Sequence, residues 1–544
     1  MATAMAMAMG MRMKRRRAES MRHRCADLLP ALDPSSAQGL RPHLLCLVLM
    51  TLASASLQAQ SLDQADPSGR QGFRFTPSLN ISQTWTDNNT LSSTAADAAL
   101  ITMVTPGINI VSNTGRLKGS LDYSLSGVLY TKSEEKNRTQ QALTARGVAE
   151  LIENLFYVDG NASISQQVAS AFAQQTSASN LSNPNRTEVA TANLSPYVRG
   201  RLGSFANFEL RGNAAESNTK DSIVGDSSSL SASLRLDSEG MAKLGWWASA
   251  SSLKSHYRAG ADSKLSSASF GLKYRPDVDL LLGINGGLER SDYLTGQLQN
   301  SKNYGLNATW TPSPITNLAL DWQHHAYGDS HLISFDHRWP RSSLRISDSQ
   351  TASTGGGTNP AGQNTNYDLL SAQYSSIEPD PIKRDALVRE ILRSRGLSPD
   401  AIATASFLTG GPTLSRSQII SFTTQGVRSS LTGSISQTST KRLGNSTPSS
   451  GDLSLTSNVV QRSYSLTTTH QLTPISGLSL TLTQSDGMSD QAGLASTLRS
   501  ATANWTWRLG PRLSGQLGAR HSRFSSVSFP YRESAVFANI LQQF

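Results

Sequence analysis

Residues 117–129 read LKGSLDYSLSGVL. Leu117, Gly119, Leu121, Tyr123, Leu125, Gly127 and Leu129 fall on one side of an extended chain, and Lys118, Ser120, Asp122, Ser124 and Ser126 on the other. A strand in a soluble sheet usually runs about 5–6 residues, whereas a tilted strand needs about 9–11 to cross a bilayer. The alternation here is long enough for the second. The same period recurs along the chain, which ends on Phe544. This pattern predicts an all-β fold, a transmembrane antiparallel up-and-down barrel.

The composition fits only that kind of membrane protein. With 37% hydrophobic residues and a mean hydropathy of -0.32, the chain is too polar for a bundle of membrane helices. A barrel needs apolar residues on its outward face alone, so every second residue is free to be Ser, Thr, Asn or Gly. A disordered chain would not keep period-2 order through segment after segment.

Residues 1–59 read as a secretory leader with a long basic start: Arg12, Lys14, Arg15, Arg16, Arg17, Arg22, Arg24 and Arg41. The apolar run from Leu44 to Ala55 is too short for a membrane helix and suits the core of a signal peptide. Cleavage after Ala59 or Ala55 would leave a short periplasmic segment, residues 60–72, and a barrel over 73–544 in a Gram-negative outer membrane. Cys25 and Cys46 leave with the leader, which excludes disulfide scaffolds and cysteine-ligated zinc. About half of the formal +10 leaves with it too, so the remaining charge is too mild to argue for nucleic acid.

Alternating segments separated by turn residues give about 22 strands, within a range of 18–24. Tight turns at 508–512, 472–476, 340–341 and 311–316 alternate with longer stretches at 218–226, 443–453 and 486–495. Barrels of this class have short periplasmic turns and longer outside loops, and counting back from a periplasmic C-terminus puts every short turn on the periplasmic side. One insertion breaks the rhythm, residues 351–414 on the extracellular side. Asp380-Pro381 caps a helix running to Arg395 that carries Lys383, Arg384, Arg389, Arg393 and Arg395 beside an apolar stripe. Two readings stand: a solvated surface loop, or a basic plug that narrows the pore.

No catalytic, cofactor-binding or metal constellation is expected, and no enzyme. His324, His325, His331 and His337 gather around the Tyr327-Gly328-Asp329 hairpin, but alternation sends them to different faces, while metal ligands must converge. The closing residues Val536, Ala538, Ile540 and Phe544 resemble the C-terminal strand by which the barrel assembly machinery recognises its clients. Besides that machinery, the expected partner is outer-membrane lipid. More specifically, Trp310-Thr-Pro-Ser-Pro-Ile, the Tyr327-Gly-Asp hairpin running to His337-Arg338-Trp339, and Pro379-Asp-Pro with Arg384 resemble the outer-membrane barrel family of PEP-CTERM (exosortase) systems. That resemblance implies a setting among exopolysaccharide genes, hence a channel or export component meeting anionic polysaccharide and envelope export proteins. The alternative is a structural or adhesive surface barrel with a closed lumen. A TonB-dependent receptor fits worst, because a strand starting near Phe73 leaves no room for an N-terminal plug domain.

Overall fold

The computed structural model describes residues 72–353 and 407–544, with breaks at 132–136, 221, 223, 239–242, 293, 445–447, 449 and 492, together with Tyr367, Leu370, Ser371, Arg384 and Val388. The expected leader lies outside the described residues. Seven strands open the barrel: β1 (Gly72–Thr86), β2 (Ala99–Asn113), β3 (Leu117–Thr131), β4 (Arg138–Ile152), β5 (Phe156–Val168), β6 (Arg186–Leu202) and β7 (Ala206–Thr219). Then come β8 (Ser227–Ser238), β9 (Leu244–Tyr257), β10 (Ser263–Asp277), β11 (Leu280–Ser291), β12 (Gln299–Ser313), β13 (Thr316–His325), β14 (Gly328–Arg338) and β15 (Ser342–Ser353). After the insertion follow β16 (Thr413–Gln425), β17 (Ser429–Arg442), helix α1 (Asp452–Leu455), β18 (Asn458–Thr473), β19 (Ser476–Ser489), β20 (Ala495–Arg508), β21 (Leu513–Ser526) and β22 (Tyr531–Gln543).

Each strand pairs antiparallel with its sequence neighbours, and β22 returns to β1 from Ser78 opposite Gln543 to Thr86 opposite Ala535. The sheet is a closed barrel of 22 strands. Closure matters because lipid offers no partner to an unpaired strand edge. Pro77, which has no N–H to leave unpaired, sits where β1 runs on past the end of β22, and the Phe544 N–H donates to its carbonyl oxygen at 2.9 Å.

The outward positions carry the apolar side chains. Leu478, Leu480 and Leu482 on β19, Leu306 and Trp310 on β12, and Val536 and Ile540 on β22 are all large, apolar and exposed. Such a continuous apolar exterior on a closed sheet is a bilayer-facing surface, and the chain spans a membrane through its strands. No helix among the described residues is long and apolar enough to do so. Connections fall into two sets. Those following even-numbered strands hold two to five residues, at the end of the barrel where Gly72 and Gln543 also lie, and every connection longer than five residues is at the other end, alongside a few short ones such as the two-residue β13–β14 turn.

Two local features depart from what the sequence pattern alone suggests. Alternation from 454 onward would begin β18 there, but the strand starts at Asn458, because Asp452–Leu455 coils into α1, with the Asp452 carboxylate accepting the Ala171 N–H at 2.6 Å. Tyr130, an aromatic near a strand end where an outer girdle would place it, points inward instead, where its hydroxyl donates to the Asn180 carbonyl at 3.0 Å. Trp85, Trp310 and Trp339 are outward and exposed near strand ends, as girdle residues are.

Candidate functional site

The lumen has two chemically different walls. Inward positions of β17 (Thr432–Thr440), β18 (Gln461–Thr469), β19 (Ser479–Ser485) and β20 (Ser496–Thr506) carry no charge. Hydroxyl pairs such as Thr467–Thr481 at 3.3 Å and Ser463–Ser485 at 3.4 Å tie these strands side to side. The wall from β1 to β7 is charged. Toward its short-turn end lies a recess of about 750 Å³ holding Arg74, Lys118 and Arg146, with Asn109, Asn161 and Asn193 beside them.

Its one carboxylate, Asp159, is held from behind. Arg211 binds Asp159 at 2.8 Å and Glu209 at 2.9 Å, and its guanidinium lies over the Tyr197 ring at 3.9 Å. Tyr197 stacks on Tyr157 at 5.1 Å, and Arg199 covers Tyr157 at 4.2 Å. This buried tyrosine pair fixes the arginines by cation–π contact, so the recess keeps its shape without a ligand to organise it. Arg146 Nη2, Asp159 Oδ1 and Asn193 Oδ1 are buried without a hydrogen-bond partner. Buried polar groups in native proteins are nearly always paired, so these three are polar atoms beside the recess that the protein itself leaves unmet. The arrangement suits an anionic group surrounded by hydroxyls.

The mouth at the long-loop end is crossed by inward-folded chain. Residues 169–185, between β5 and β6, contain no charged residue and lie over the lumen. They reach β1 through Asn180 to Thr84 at 3.0 Å, β4 through Arg138 to the Leu181 carbonyl at 2.6 Å, β20 through Ser496 to the Ala171 carbonyl at 2.9 Å, and β22 through Tyr531 to the Gln175 carbonyl at 2.5 Å. Apolar side chains seal these contacts: Leu91, Ile101, Val128, Leu181, Leu498 and Phe524 form one buried cluster. A second joins Ala171, Phe407, Leu453 and Val459. Phe407, just before β16, bridges to Val168 at the end of β5, eleven strands away on the facing wall. Burial raises the Asp452 carboxyl above its ordinary range, against hydrogen bonds from Ser170 and Ala171 that pull it down.

We expect the 169–185 segment to limit conductance. Replacing residues 171–182 with a short Gly-Ser linker should raise the single-channel conductance of the protein in planar bilayers severalfold. An unchanged conductance would place the constriction elsewhere.

Of the basic helix expected over 382–395, Arg384 is described and helical, whereas Lys383, Arg389, Arg393 and Arg395 lie outside the described residues. Val388, in that same expected helix, is buried together with Leu370, with Tyr367 packed on them, and the Arg146 guanidinium lies 5.8 Å from the Tyr367 ring centre. Arg146 faces the lumen, so that part of the insertion is inside the barrel. The histidines separate: His324 pairs with Asp329 at 2.7 Å, His325 with the buried Glu289 at 2.9 Å, His331 with Asp348 at 3.2 Å, and His337 with Thr316 at 2.8 Å. Val536, Ala538 and Ile540 face outward, and Phe544 follows the last strand. The recess itself escaped the sequence reading.

No protein-family model and no curated protein matches the sequence. Solved structures that share the architecture include the siderophore receptor PirA from Acinetobacter baumannii, at 8% identity and a TM-score of 0.47 over 87% of this chain and 81% of that one. The FrpB iron transporter from Neisseria meningitidis follows at 9% identity and a TM-score of 0.39, over 86% and 82%. Pseudomonas aeruginosa OpdL aligns at 10% identity and a TM-score of 0.33, over 87% and 98%.

Proposed function

We propose that this chain is an outer-membrane channel or export component whose lumen binds an anionic, hydroxyl-rich solute. An acidic polysaccharide, as in an exopolysaccharide system of the PEP-CTERM type, has that chemistry. The observation that carries the reading is the Arg74–Lys118–Arg146 recess, cationic and lined with amides, on one wall of a lumen otherwise rich in Ser and Thr. Guanidinium groups bind carboxylates bidentately, while amides and hydroxyls match sugar hydroxyls. The basic segment carrying Lys383, Arg384, Arg389, Arg393 and Arg395 would narrow the path and favour anions further. The envelope export proteins that would deliver such a polymer belong to the same proposal.

Planar-bilayer recordings test it. An acidic oligosaccharide such as oligogalacturonate should block open channels at about a tenfold lower concentration than a neutral malto-oligosaccharide of equal length. Arg74→Gln with Lys118→Gln and Arg146→Gln should erase that difference. The preference should also fade between 0.1 M and 1 M salt, as the Debye length falls from ~10 Å to ~3 Å. Equal block by both sugars would remove the anion site. A protein that inserts but never conducts would favour the structural barrel, a reading that the crossed mouth supports.

A further inference from the structure

Outside the lumen, three arginines stand in a row. Arg499 on β20 is the direct cross-strand partner of Arg523 on β21, which is in turn the partner of Arg532 on β22. All three share the outward face with Trp505, Leu517 and Val536, and all three are exposed. Side chains directly opposite in an antiparallel pair sit about 4.5–5.5 Å apart at Cβ, and like charges there repel. The rung toward the loops is arranged differently: Arg462 lies opposite Asp486, and Asp486 is opposite Thr497.

The carboxylates near the row are already engaged. Asp486 accepts hydrogen bonds from Gln484 at 2.9 Å and Thr497 at 2.9 Å, and Asp87 accepts the Ser534 N–H at 2.7 Å. Arg499 turns its Nε to Gln484 Oε1 at 3.0 Å. A row of this kind is stabilised by an anion shared among the guanidinium groups.

Below the row the side chains become small and, past His521 and Ser534, apolar. The next outward rungs run Leu482, Ala501, His521, Ser534 and then Leu480, Ala503, Ala519, Val536. Alanines flanked by leucine and valine leave a trough between strands. An open groove of about 800 Å³ starts at the arginine row and its first rung and runs sideways toward β16, lined by Ile420, Ile435, Tyr464, Leu482, Ala501 and His521 among others. Arg499 is eight residues from Trp507, roughly 26 Å along the strand, or ~20 Å along the membrane normal at the usual tilt. The row therefore stands at the rim of the apolar band, on the long-loop side.

We propose that this patch holds a phosphorylated glycolipid of the outer leaflet, of the lipid A type, with a phosphate across the arginine row and acyl chains along the alanine trough. Charge complementarity selects an anion, the trough selects an acyl chain, and the position on the loop side selects the outer leaflet. Multiple phosphates on a wide saccharide headgroup match three guanidinium groups side by side better than one phosphodiester does.

Native mass spectrometry of the delipidated protein in mild detergent tests this, using bisphosphorylated lipid A, phosphatidylglycerol and inorganic phosphate as separate probes. Lipid A should bind one per barrel, and the triple variant Arg499→Gln, Arg523→Gln, Arg532→Gln should bind it at least about tenfold more weakly. Because substitution relieves repulsion, the variant should melt no lower than the wild type in lipid-free detergent. The single variant Arg523→Gln removes the central charge and should itself weaken binding severalfold. Equal binding by wild type and variants overturns the proposal. So does phosphatidylglycerol or phosphate binding as tightly as lipid A.

Discussion

Replacing Arg520 by alanine is expected to destabilise the barrel by about 3–5 kcal/mol, because it strands a buried charge. Arg520 and Glu533 meet on the inward face of β21 and β22 at 2.7 Å and 3.2 Å, two hydrogen bonds to one carboxylate. The Glu533 side chain is 0% exposed and that of Arg520 9%. Glu533 also accepts the Thr86 hydroxyl at 3.1 Å, so this carboxylate links β21, β22 and β1 across the closure of the sheet. Removing both charges together, as in Arg520→Met with Glu533→Leu, should cost far less, since no uncompensated ion is left behind. Refolding titrations into lipid vesicles would read both. A loss of less than about 1 kcal/mol for Arg520→Ala would mean that solvent screens the pair like a surface one.

Charge placed on the two faces of β19 should have unequal consequences. Leu480 is outward and exposed in the middle of the strand, whereas Thr481 faces the lumen and meets Thr467 at 3.3 Å. Leu480→Arg should cost roughly 2–4 kcal/mol near the bilayer midplane, and Thr481→Arg much less, because water reaches the lumen side. The same vesicle titration compares them directly. Equal costs would contradict the assignment of the two faces, and with it the reading of every strand in register with β19.

The strands were legible because the two faces of each have opposite solvents. Leu478, Leu480 and Leu482 against Ser479, Thr481 and Thr483 is a period that only one barrel orientation satisfies. Strand count, loop parity and the lumen side of Lys118 and Asp122 follow from it. The recess did not show, since Arg74 and Lys118 are each the one cation of a polar strand and Arg146 stands eight residues from Arg138 in its own, and only the pairing of β1 to β4 brings the three together. The inward fold of 169–185 left a fainter trace. Ile101, Val128, Leu498 and Phe524 are apolar residues at inward positions, breaking the alternation near the long-loop end, and each is buried against that segment or its neighbours. A run of 17 residues without charge, between two strands that otherwise carry several, was the companion signal.

Closure by β1 and β22 also bears on the order of events in folding. Every other pairing between named strands joins consecutive strands, so the barrel grows by adding partners close in sequence everywhere but at β15–β16, where residues 354–412 intervene. Only the β1–β22 pairing joins residues as distant as Thr86 and Glu533, 447 positions apart. Chain entropy does not forbid it: loop-closure cost rises by about 0.6 kcal/mol per doubling of length, so this ring costs only ~2–3 kcal/mol more than a hairpin. What it sets is timing. Until that seam forms, the sheet has two free edges and the Arg520–Glu533–Thr86 bridge is incomplete, so the appearance of the closed sheet should follow the rate of one event. Nothing ties that event to these two strands in particular. With Gly72 and Gln543 both on the short-turn side, joining the barrel's two ends there and opening a long-loop connection would move the seam around the ring and leave the strand pairings unchanged.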